Sequence, residues 1–411
     1  MEIFVSAGDA SSEMHAAQAV SELQKLLKEK NPESSLKVFG LVGDKLQDLG
    51  AKPLMHTKEF SVGGGPLEVI GKLPKRMKLE NLLEDYLSQN KVSGALLVDN
   101  GEINLRLASL LNFFNVPVIY YIPPKVWVWR QSRLIPMAYH VKKVLGILPF
   151  ERKLYEEWEI PFQYVGNPLL DEVDYKMTEK EARDALNIDG SHPIVSVLLG
   201  SRHSEVRFHT DLFLKAIIQF HESLKTSAPE NLKNPTYVFP VPKTIDVTEL
   251  TKKITDVLAP LHIDFRIYKE KSHECMRVSR AALIKSGTST LEGALIGCPM
   301  VVAYQSGLFA AFMFHNILRY KDHVSLANLI LAHKEKPAVE EFILEKCTVK
   351  NLSEGLLKIY LDGSFRTEQI NRLRTTEERL QCPTALGKSP STAVAKEMLE
   401  TFKKSEDVNR A

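Results

Sequence analysis

The sequence predicts an α/β protein with two doubly wound domains, each built on a parallel sheet that helices cover on both faces. The chain has 411 residues, which is longer than one hydrophobic core usually supports. Short apolar runs alternate along it with amphipathic ones, as they do where strands and helices alternate in a parallel sheet. The alternation restarts after a charged stretch at residues 171–183. We therefore expect a first domain at residues 1–172, a second at 173–380 and a terminal segment at 381–411.

Apolar runs in the first domain predict five strands, and amphipathic runs between them predict three helices. At residues 15–30, for example, Ala16, Val20 and Leu23 share one helical face. The apolar run at residues 94–99 is continuous, which is typical of a strand buried on both faces of a sheet. The predicted strands are residues 3–6, 36–41, 94–99, 116–122 and 144–149, and the predicted helices are residues 15–30, 79–87 and 104–114.

The second domain repeats this pattern and is followed by a terminal helix. Its predicted strands are residues 194–199, 237–241, 265–268, 282–285 and 300–304, and its predicted helices are residues 205–224, 248–259, 273–280 and 290–296. The charged segment from Leu386 onward predicts one more helix. We expect this helix to brace the fold by packing across the domains.

Composition and charge exclude several classes of protein. With 44% hydrophobic and 25% charged residues, the chain has the composition of a globular protein and not of a disordered or fibrous one. Its 53 basic and 51 acidic residues leave a net charge of +2, which gives no general case for nucleic-acid binding. The four cysteines lack C-x-x-C spacing, and the histidines form no metal-binding motif. We therefore expect reduced thiols, no metal and no cofactor.

Neither a targeting segment nor a membrane span is predicted. The N-terminal sequence MEIFVSAGDA lacks the basic and long apolar regions of a signal peptide. Residues 107–124 and 293–318 are long and almost free of charge, as membrane spans are. Polar residues, glycines and prolines interrupt both, so each predicts a buried helix followed by a buried strand. We expect a cytoplasmic protein.

Acidic residues follow two predicted strands of the first domain, where open α/β sheets bind ligands. The sequence after the first strand is SAGDASSE at residues 6–13, and DNGEIN at 99–104 follows the third. Neither is a dinucleotide fingerprint or a P-loop. The four carboxylates, Asp9, Glu13, Asp99 and Glu102, suit a base that deprotonates an alcohol, or acceptors for sugar hydroxyls. Helix capping explains Asp9, Ser11 and Glu13 equally well, whereas function is favoured for Asp99.

Glycines, hydroxyls and a cation occupy the corresponding positions of the second domain. Gly200 and Arg202 follow one predicted strand, and the segment SGTSTLE at residues 286–292 follows another at the start of a helix. Free N–H groups at a helix start bind phosphate, and Gly287 permits close approach of the backbone. Arg202 adds a charge-assisted contact. The alternatives are a well-capped helix and a surface ion pair; Glu292 fits either a capping box or a ribose diol.

Two further segments suit a lipid-like ligand. Residues 120–130 are aromatic and basic, so that Trp127 and Trp129 line an apolar groove or pack in the core. The segment from Pro66 to Leu79 mixes apolar residues with clustered lysines and arginines. Such a mixture suits an anionic membrane surface, although an ordinary solvated helix start explains it nearly as well.

These residues give the chain a resemblance to the lipid-A-disaccharide synthase family along almost its whole length. The most specific blocks are YYIPPKVWVWR at residues 120–130 and SGTSTLEGALIGCPMVVAY at 286–304. Weaker ones are SAGDASSEMHAA at 6–17, NLRLA at 104–108, ILPFE at 147–151, YVGNPL at 164–169, GSRHSEV at 200–206 and LANLILA at 326–332. The chain departs from the family pattern in its acidic loops, where Asp9 stands for a glutamate and Glu102 for an aspartate.

The resemblance implies a glycosyltransferase of the GT-B type, with two facing Rossmann-like domains and a C-terminal helix that returns to the first domain. It implies the metal-free, inverting transfer of 2,3-diacylglucosamine from its UDP derivative to the 6-hydroxyl of 2,3-diacylglucosamine 1-phosphate. The products are lipid A disaccharide 1-phosphate and UDP. Because the substrates carry acyl chains, such enzymes work at the inner face of the inner membrane, where the segment from Pro66 to Leu79 would dock.

The residues and the resemblance together give a set of candidate site residues. Asp99 is the leading base and Asp9 the second choice. The resemblance places Asn328 near the donor, and we add Ser11 and Asn104 to the substrate site. The expected UDP-binding residues are Arg202, Ser286, Gly287, Thr288, Ser289, Thr290 and Glu292. A homodimer is one expected assembly, and three alternatives stay open: another UDP-sugar transferase, a UDP-sugar epimerase, or an inactive lipid- or nucleotide-binding relative.

Overall fold

Two compact units make up the computed structural model, which describes residues 1–60, 66–127, 130–190, 192–305, 323–331 and 336–408. The first unit comprises Met1–Pro168 together with Leu380–Ala411, and the second comprises Leu169–Arg379. The sequence predicts boundaries after residues 172 and 380. The short helix Leu169–Glu172 thus belongs to the second unit.

The sheet of the first unit has seven parallel strands in the order β3-β2-β1-β4-β5-β6-β7. They are β1 (Glu2–Ala7), β2 (Lys37–Val42), β3 (Lys52–His56), β4 (Gly94–Val98), β5 (Val118–Tyr121), β6 (Lys143–Gly146) and β7 (Phe162–Tyr164). The apolar pattern predicts five of these strands and misses β3 and β7. Both missed strands lie at the edges of the sheet and are partly exposed, so neither needs a continuous apolar run.

Helices connect these strands. They are α1 (Ala10–Lys30), α2 (Asp44–Asp48), α3 (Pro66–Gln89), α4 (Gly101–Phe113), α5 (Leu134–His140) and α6 (Arg152–Glu157). Helix α1 begins five residues before its predicted start at residue 15, because Asp9 caps it by accepting a 2.8 Å hydrogen bond from the backbone N–H of Ser12. The start of α1 therefore lies directly beyond the carboxyl end of β1.

The last helix, Pro390–Val408, packs on the first unit. Phe402 is fully buried against β4, where a side-chain carbon at Gly94 would lie only 2.2 Å from the Phe402 ring. An ion pair of 2.6 Å joins Lys143 at the start of β6 to Glu397 of the helix. This confirms that the C-terminal helix returns to the first domain, although it begins at Pro390 and not at Leu386.

The sheet of the second unit has six parallel strands in the order β10-β9-β8-β11-β12-β13. They are β8 (Ile194–Leu198), β9 (Thr236–Val241), β10 (Phe265–Lys269), β11 (Ala281–Lys285), β12 (Met300–Tyr304) and β13 (Glu340–Ile343). The sequence pattern predicts the first five and misses β13, a half-exposed edge strand with two glutamates.

Ten α-helices of this unit lie in the described part of the chain. They are α7 (Leu169–Glu172), α8 (Glu179–Leu186), α9 (His203–Ser227), α10 (Val247–Leu258), α11 (Ser272–Val278), α12 (Thr288–Ile296) and the helices Leu326–Leu331, Val349–Leu361, Gly363–Leu373 and Thr376–Leu380. The helices beyond residue 340 are not among the predicted ones. In Val349–Leu361, the buried Leu352, Leu356, Ile359 and Tyr360 carry a helical spacing that would have revealed it.

Within the described residues, no helix is long and apolar enough to cross a membrane. Residues 107–124 contain the end of α4 and the strand β5, as expected of a buried helix followed by a strand. Residues 293–304 contain the end of α12 and the strand β12 in the same way. The stretch 306–318 lies outside the described residues.

Candidate active site

A strained turn positions Asp99 at the carboxyl end of β4. Asp99 and Asn100 have φ values of 51° and 38°, a left-handed conformation that residues other than glycine rarely adopt. The turn is held by its own carbonyl, since the Asp99 oxygen accepts hydrogen bonds from the Tyr120 hydroxyl at 2.6 Å and the Asn104 amide at 2.8 Å. The fold therefore fixes the backbone from which the Asp99 carboxyl projects.

Asn104 is a positioning residue. Its side chain is fully buried and also donates to the carbonyl of Val98 at 3.0 Å, while its oxygen accepts from the Ser6 hydroxyl at 2.6 Å. The amide thus ties the ends of β1 and β4 together. Both N–H donors of its amide are used within the protein, and its expected place in the substrate site stays a prediction.

Asp9 and Asp99 belong to loops that touch. A side-chain carbon at Gly8 would lie 2.3 Å from the Asn100 amide nitrogen, so the glycine lets the loop after β1 meet the turn after β4. Burial raises the pKa of Asp99, and the neighbouring charge of Asp9 raises it further; the Asn100 N–H and the Lys125 charge oppose these effects. A carboxylate with a raised pKa is a better proton acceptor at neutral pH.

The other two acidic residues of these loops have structural partners. Glu13 is buried and accepts hydrogen bonds from the backbone N–H groups of Lys45 at 2.8 Å and Leu46 at 3.3 Å, so it caps α2. Glu102 is exposed and lies 3.1 Å from Arg130. The set of four predicted carboxylates is therefore reduced to Asp9 and Asp99.

Ser11 lies on the exposed first turn of α1. Its hydroxyl is 3.5 Å from Nε2 of His15. Burial lowers the pKa of His15 to about 4, so this histidine is neutral at physiological pH. Because Ser11 is exposed, its hydroxyl is accessible to a ligand at this edge of the sheet.

A buried glutamic acid lies beneath the aromatic segment. Glu151 is 2% exposed, and burial raises its pKa to about 8, against the effects of the Leu148 N–H, the Trp127 indole and the Lys125 charge. Trp127 packs edge-to-face on Phe150 with ring centroids 5.1 Å apart, which is the core-packing alternative for this tryptophan. Trp129 lies outside the described residues. Glu151 is absent from the predicted site, although a glutamate directly after the apolar run ILPF was a usable signal.

In the second unit, α12 begins beyond β11 without a side-chain cap. Gly287 occupies the capping position and has no side-chain hydrogen bond to offer, so the first N–H groups of the helix, at Thr288 and Ser289, point out of its start. Ser286 is buried, and the Thr290 hydroxyl bonds back to the Gly287 carbonyl at 2.8 Å. The start of α12 has no side-chain cap, so the structure does not support the alternative of a well-capped helix.

Glu292 does not close a capping box on α12. Its carboxylate lies 3.5 Å from Nε2 of His273 on α11, and this contact is the largest cause of the raised pKa of His273. Burial, followed by the charge of Glu292, raises the pKa of Glu172 to about 7. Glu292 thus has a histidine partner that orients it.

The turn after β8 combines an exposed arginine with a buried ion pair. The Arg202 side chain is 80% exposed, and its contact with Glu205 is long, at 3.7 Å. The guanidinium is therefore loosely held. Glu205 instead pairs with Lys285 at 2.7 Å, and both side chains are largely buried. Glu205 also accepts from the backbone N–H of Ser201 at 3.0 Å. The Lys285–Glu205 pair joins the end of β11 to the first turn of α9; the sequence offered only a lysine at the end of an apolar strand.

Asn328 is fully buried and holds the backbone that leads into β13. Its oxygen accepts from the N–H groups of Ala338 at 2.7 Å and Val339 at 2.9 Å, and its nitrogen donates to the Val339 carbonyl and the Glu341 carboxylate. All four hydrogen bonds that this amide can make are used. These hydrogen bonds give Asn328 a structural role, and its expected place near the donor stays a prediction.

Metal-ligating side chains do not cluster in the part of the chain that the structure describes. No group of three or more histidine, cysteine or carboxylate side chains there could hold a metal ion. Among the described residues, no disulfide joins Cys275, Cys298, Cys347 or Cys382.

Comparison with known proteins identifies the family. The family model described as lipid-A-disaccharide synthetase matches residues 3–390. The chain belongs to this family. The lipid-A-disaccharide synthase of Myxococcus xanthus is 31% identical over 379 residues, which cover 92% of this chain and 93% of the relative. That of Anaeromyxobacter dehalogenans (strain 2CP-C) is 30% identical over 384 residues, covering 93% and 94%.

Family membership makes the protein a hexosyltransferase of lipid A biosynthesis that uses a UDP-sugar and a lipid acceptor. This confirms the resemblance drawn from the sequence. The alternatives of an epimerase, a different UDP-sugar transferase or an inactive relative are not favoured, because the family model and these full-length relatives carry the synthase name.

Solved structures agree on the fold. A UDP-GlcNAc 2-epimerase from Neisseria meningitidis, bound to UDP-GlcNAc, aligns with a TM-score of 0.58 at 14% identity and covers 98% of this chain and 100% of its own. Anabaena HepE, in complex with UDP and glucose, aligns with a TM-score of 0.51 at 11% identity over 98% and 100%. These likenesses concern the fold alone and confirm the predicted GT-B type.

Proposed function

We propose that the protein moves 2,3-diacylglucosamine from its UDP derivative to the 6-hydroxyl of 2,3-diacylglucosamine 1-phosphate. The products are lipid A disaccharide 1-phosphate and UDP. Family membership supports a UDP-sugar donor and a lipid acceptor. The observation that carries the chemical assignment is the Asp99 carboxyl, which belongs to a strained turn, lies near the charge of Asp9 and has a raised pKa.

In the proposed mechanism, Asp99 is the general base. The ionised carboxylate takes the proton of the acceptor hydroxyl as its oxygen attacks the anomeric carbon, which inverts the configuration there. Asp9 keeps Asp99 basic through its charge and is the second candidate for the base. Tyr120 and Asn104 hold the Asp99 carbonyl, so the carboxyl keeps its position. Such positioning matters because a displacement of about 1 Å costs roughly 100-fold in rate.

The second unit is proposed to hold UDP at the start of α12. The N–H groups of Thr288 and Ser289, with the positive end of the helix, suit the diphosphate, and Gly287 leaves room for it. The exposed Arg202 is available to contact the same phosphates. Donors aimed at the leaving diphosphate stabilise the charge that develops on it during transfer.

The remaining donor contacts involve Ser286, Thr290 and Glu292. We assign the Ser286 and Thr290 hydroxyls to the walls of the diphosphate turn. Glu292 lies 3.5 Å from His273, and we assign its carboxylate to the ribose diol. A carboxylate accepts two hydrogen bonds from neighbouring hydroxyls, which suits this assignment.

The membrane surface is the proposed place of reaction, at the inner face of the inner membrane. The acyl chains of both substrates partition there, and the segment from Pro66 to Leu79 begins α3 with apolar residues beside clustered cations. Apolar burial and attraction to anionic lipid together suit peripheral docking. We assign acyl-chain entry to this segment.

A reconstituted assay tests the proposal. Purified protein is mixed with UDP-2,3-diacylglucosamine and the 1-phosphate acceptor in detergent micelles, and both UDP release and disaccharide formation are measured. Equal amounts of UDP and disaccharide are expected. The acceptor assignment would be wrong if UDP were released without the acceptor. It would also be wrong if no disaccharide formed from substrates that a related synthase converts.

A further inference from the structure

A large cavity lies at the edge of the second unit's sheet where the strands begin. Its volume is about 1370 Å³. Ile194 begins β8, while Arg280 and Pro299 directly precede β11 and β12, and all three line the cavity. The proposed UDP turn follows the other end of β11, at Ser286. The cavity is therefore separate from the donor site and has no part in the reaction proposed above.

Two arginines of this cavity share one backbone carbonyl. The Tyr360 oxygen accepts hydrogen bonds from Nε of Arg280 at 2.9 Å and from Nη1 of Arg366 at 3.1 Å. The guanidinium carbon of Arg280 lies 5.2 Å from the centre of the Tyr360 ring. Two like charges are thus held side by side by the fold.

Neither guanidinium has a carboxylate partner within the described residues. Burial lowers the pKa of Arg280, and the charge of Arg366 lowers it further. Each arginine uses one of its five N–H donors on Tyr360, so most donors of the pair remain available. An anion placed between them would relieve the repulsion and satisfy these donors.

The rest of the cavity wall is also basic. The cationic side chains that line it are Lys176, Arg183, Arg277, Arg280, Arg366 and Arg374. Only three carboxylates, Glu179, Asp189 and Glu377, accompany them. Among the described residues, Nη1 of Arg183 and Nε of Arg277 are buried without a hydrogen-bond partner. The six cationic side chains outnumber the three carboxylates, so the cavity wall carries an excess of positive charge.

We propose that this cavity binds a phosphate dianion between Arg280 and Arg366. The planar fork of arginine matches the oxygens of a phosphate and binds them bidentately. The dianion balances the two uncompensated charges. It comes either as free inorganic phosphate or as a phosphate monoester, whose organic part would lie against the apolar Leu232, Ile296 and Ile370 of the same wall.

Binding of inorganic phosphate to the full-length protein tests this proposal. Isothermal titration calorimetry at low ionic strength is run with saturating UDP, so that the diphosphate site is occupied. One phosphate per chain is expected. Arg280→Gln and Arg366→Gln should each weaken binding about tenfold or more, as loss of a charge-assisted pair of hydrogen bonds does. Arg106→Gln, at an exposed arginine of α4 in the other unit, is the matched control and should bind as the unmodified protein does.

Two outcomes would overturn the site. One is the absence of phosphate binding to the unmodified protein, and the other is equal affinity for the unmodified and Arg366→Gln proteins. Arg366 is a half-exposed helix residue, so this variant should fold, which its circular dichroism and melting temperature check. The source of the phosphate is decided by repeating the titration with phenyl phosphate. Tighter binding than that of inorganic phosphate indicates an ester, and equal binding indicates the free anion; both support the site.

Discussion

Burial raises the pKa of Asp99, and the charge of Asp9 raises it further across the contact between the loops that follow β1 and β4. Gly8 makes the contact possible, because a larger residue there would collide with Asn100. Two neighbouring carboxylates repel each other when both are ionised, so the charge of one favours the protonated form of the other. That arrangement is of use where one of them has to accept a proton, and it gives the first unit a proton acceptor tuned by its neighbour.

Asp99→Asn should abolish most of the transfer activity and leave UDP binding intact. Removal of a general base costs about 10²–10⁴-fold in rate, whereas the proposed UDP contacts lie in the other unit. The turnover number is measured by disaccharide formation, and the UDP affinity by calorimetry. Glu102→Gln is the matched control, since Glu102 is an exposed carboxylate of the same loop. An Asp99→Asn enzyme with full rate would remove Asp99 from the role of base.

The pH profile should report the coupling of the two aspartates. The active form has Asp99 ionised, so kcat/KM falls as the pH falls through the raised pKa of Asp99. Asp9→Asn removes the neighbouring negative charge and lowers that pKa, so the acidic limb should move to lower pH. Asparagine caps helices as well as aspartate does, which preserves α1. An acidic limb that stays in place in the variant would contradict the coupling.

Arg202→Ala should weaken UDP binding by about tenfold, the effect of losing one charge-assisted contact to phosphate. The melting temperature should hardly change, because the side chain is exposed and only loosely paired with Glu205. The comparison variant is Arg207→Ala, at another exposed arginine near the start of α9. Equal UDP affinities of the two variants would exclude Arg202 from the site.

Asn104→Ala should lower both stability and rate. The variant removes the partner of the Ser6 hydroxyl and one hydrogen bond to each of the Val98 and Asp99 carbonyls, at a cost of about 2 kcal/mol in the free energy of unfolding. Urea denaturation measures this loss. If Asn104 positions Asp99, the turnover number falls while UDP affinity stays the same. A loss of stability with an unchanged turnover number would limit the residue to a structural role.

Glu151 should make the protein less stable as the pH rises. Its pKa is about 8 in the folded protein, against an ordinary value of 4.5. Between these values the folded state keeps the proton that the unfolded state has released, so the free energy of unfolding decreases with increasing pH. Glu151→Gln removes this dependence. Urea denaturation of both proteins from pH 5 to 8 should show a stability difference that grows in favour of the variant, and a constant difference would refute the prediction.

The sequence predicts central strands well and edge strands poorly. Strands such as β4 are buried on both faces and have to be apolar throughout, so Gly94–Val98 is recognisable. Edge strands such as β3 and β13 face solvent and admit lysine, proline or glutamate. Their pairing depends on the neighbouring strand and leaves little trace in their own residues.

The sequence predicts where candidate site residues lie in the fold better than it predicts which groups they bond to. The rule that ligands bind beyond the strand ends selected Asp99 and the turn at Ser286 as candidates, and both follow the strands expected of them, β4 and β11. The rule could not show that Glu13 caps a helix 32 positions away in the chain. Nor could it show that Asn328 forms hydrogen bonds with the segment before β13. Such assignments depend on tertiary contacts between residues far apart in the chain.

The ion pair between Lys143 and Glu397 joins residues 254 positions apart, and the whole second unit is threaded between them. During synthesis on the ribosome, β4 therefore emerges long before Phe402, the residue that covers it. Synthesis of the second unit is complete before the last segment of the first unit is made. The second unit is therefore free to fold first. We expect the nascent first unit to expose apolar surface until the last helix arrives, and so to depend most on chaperones.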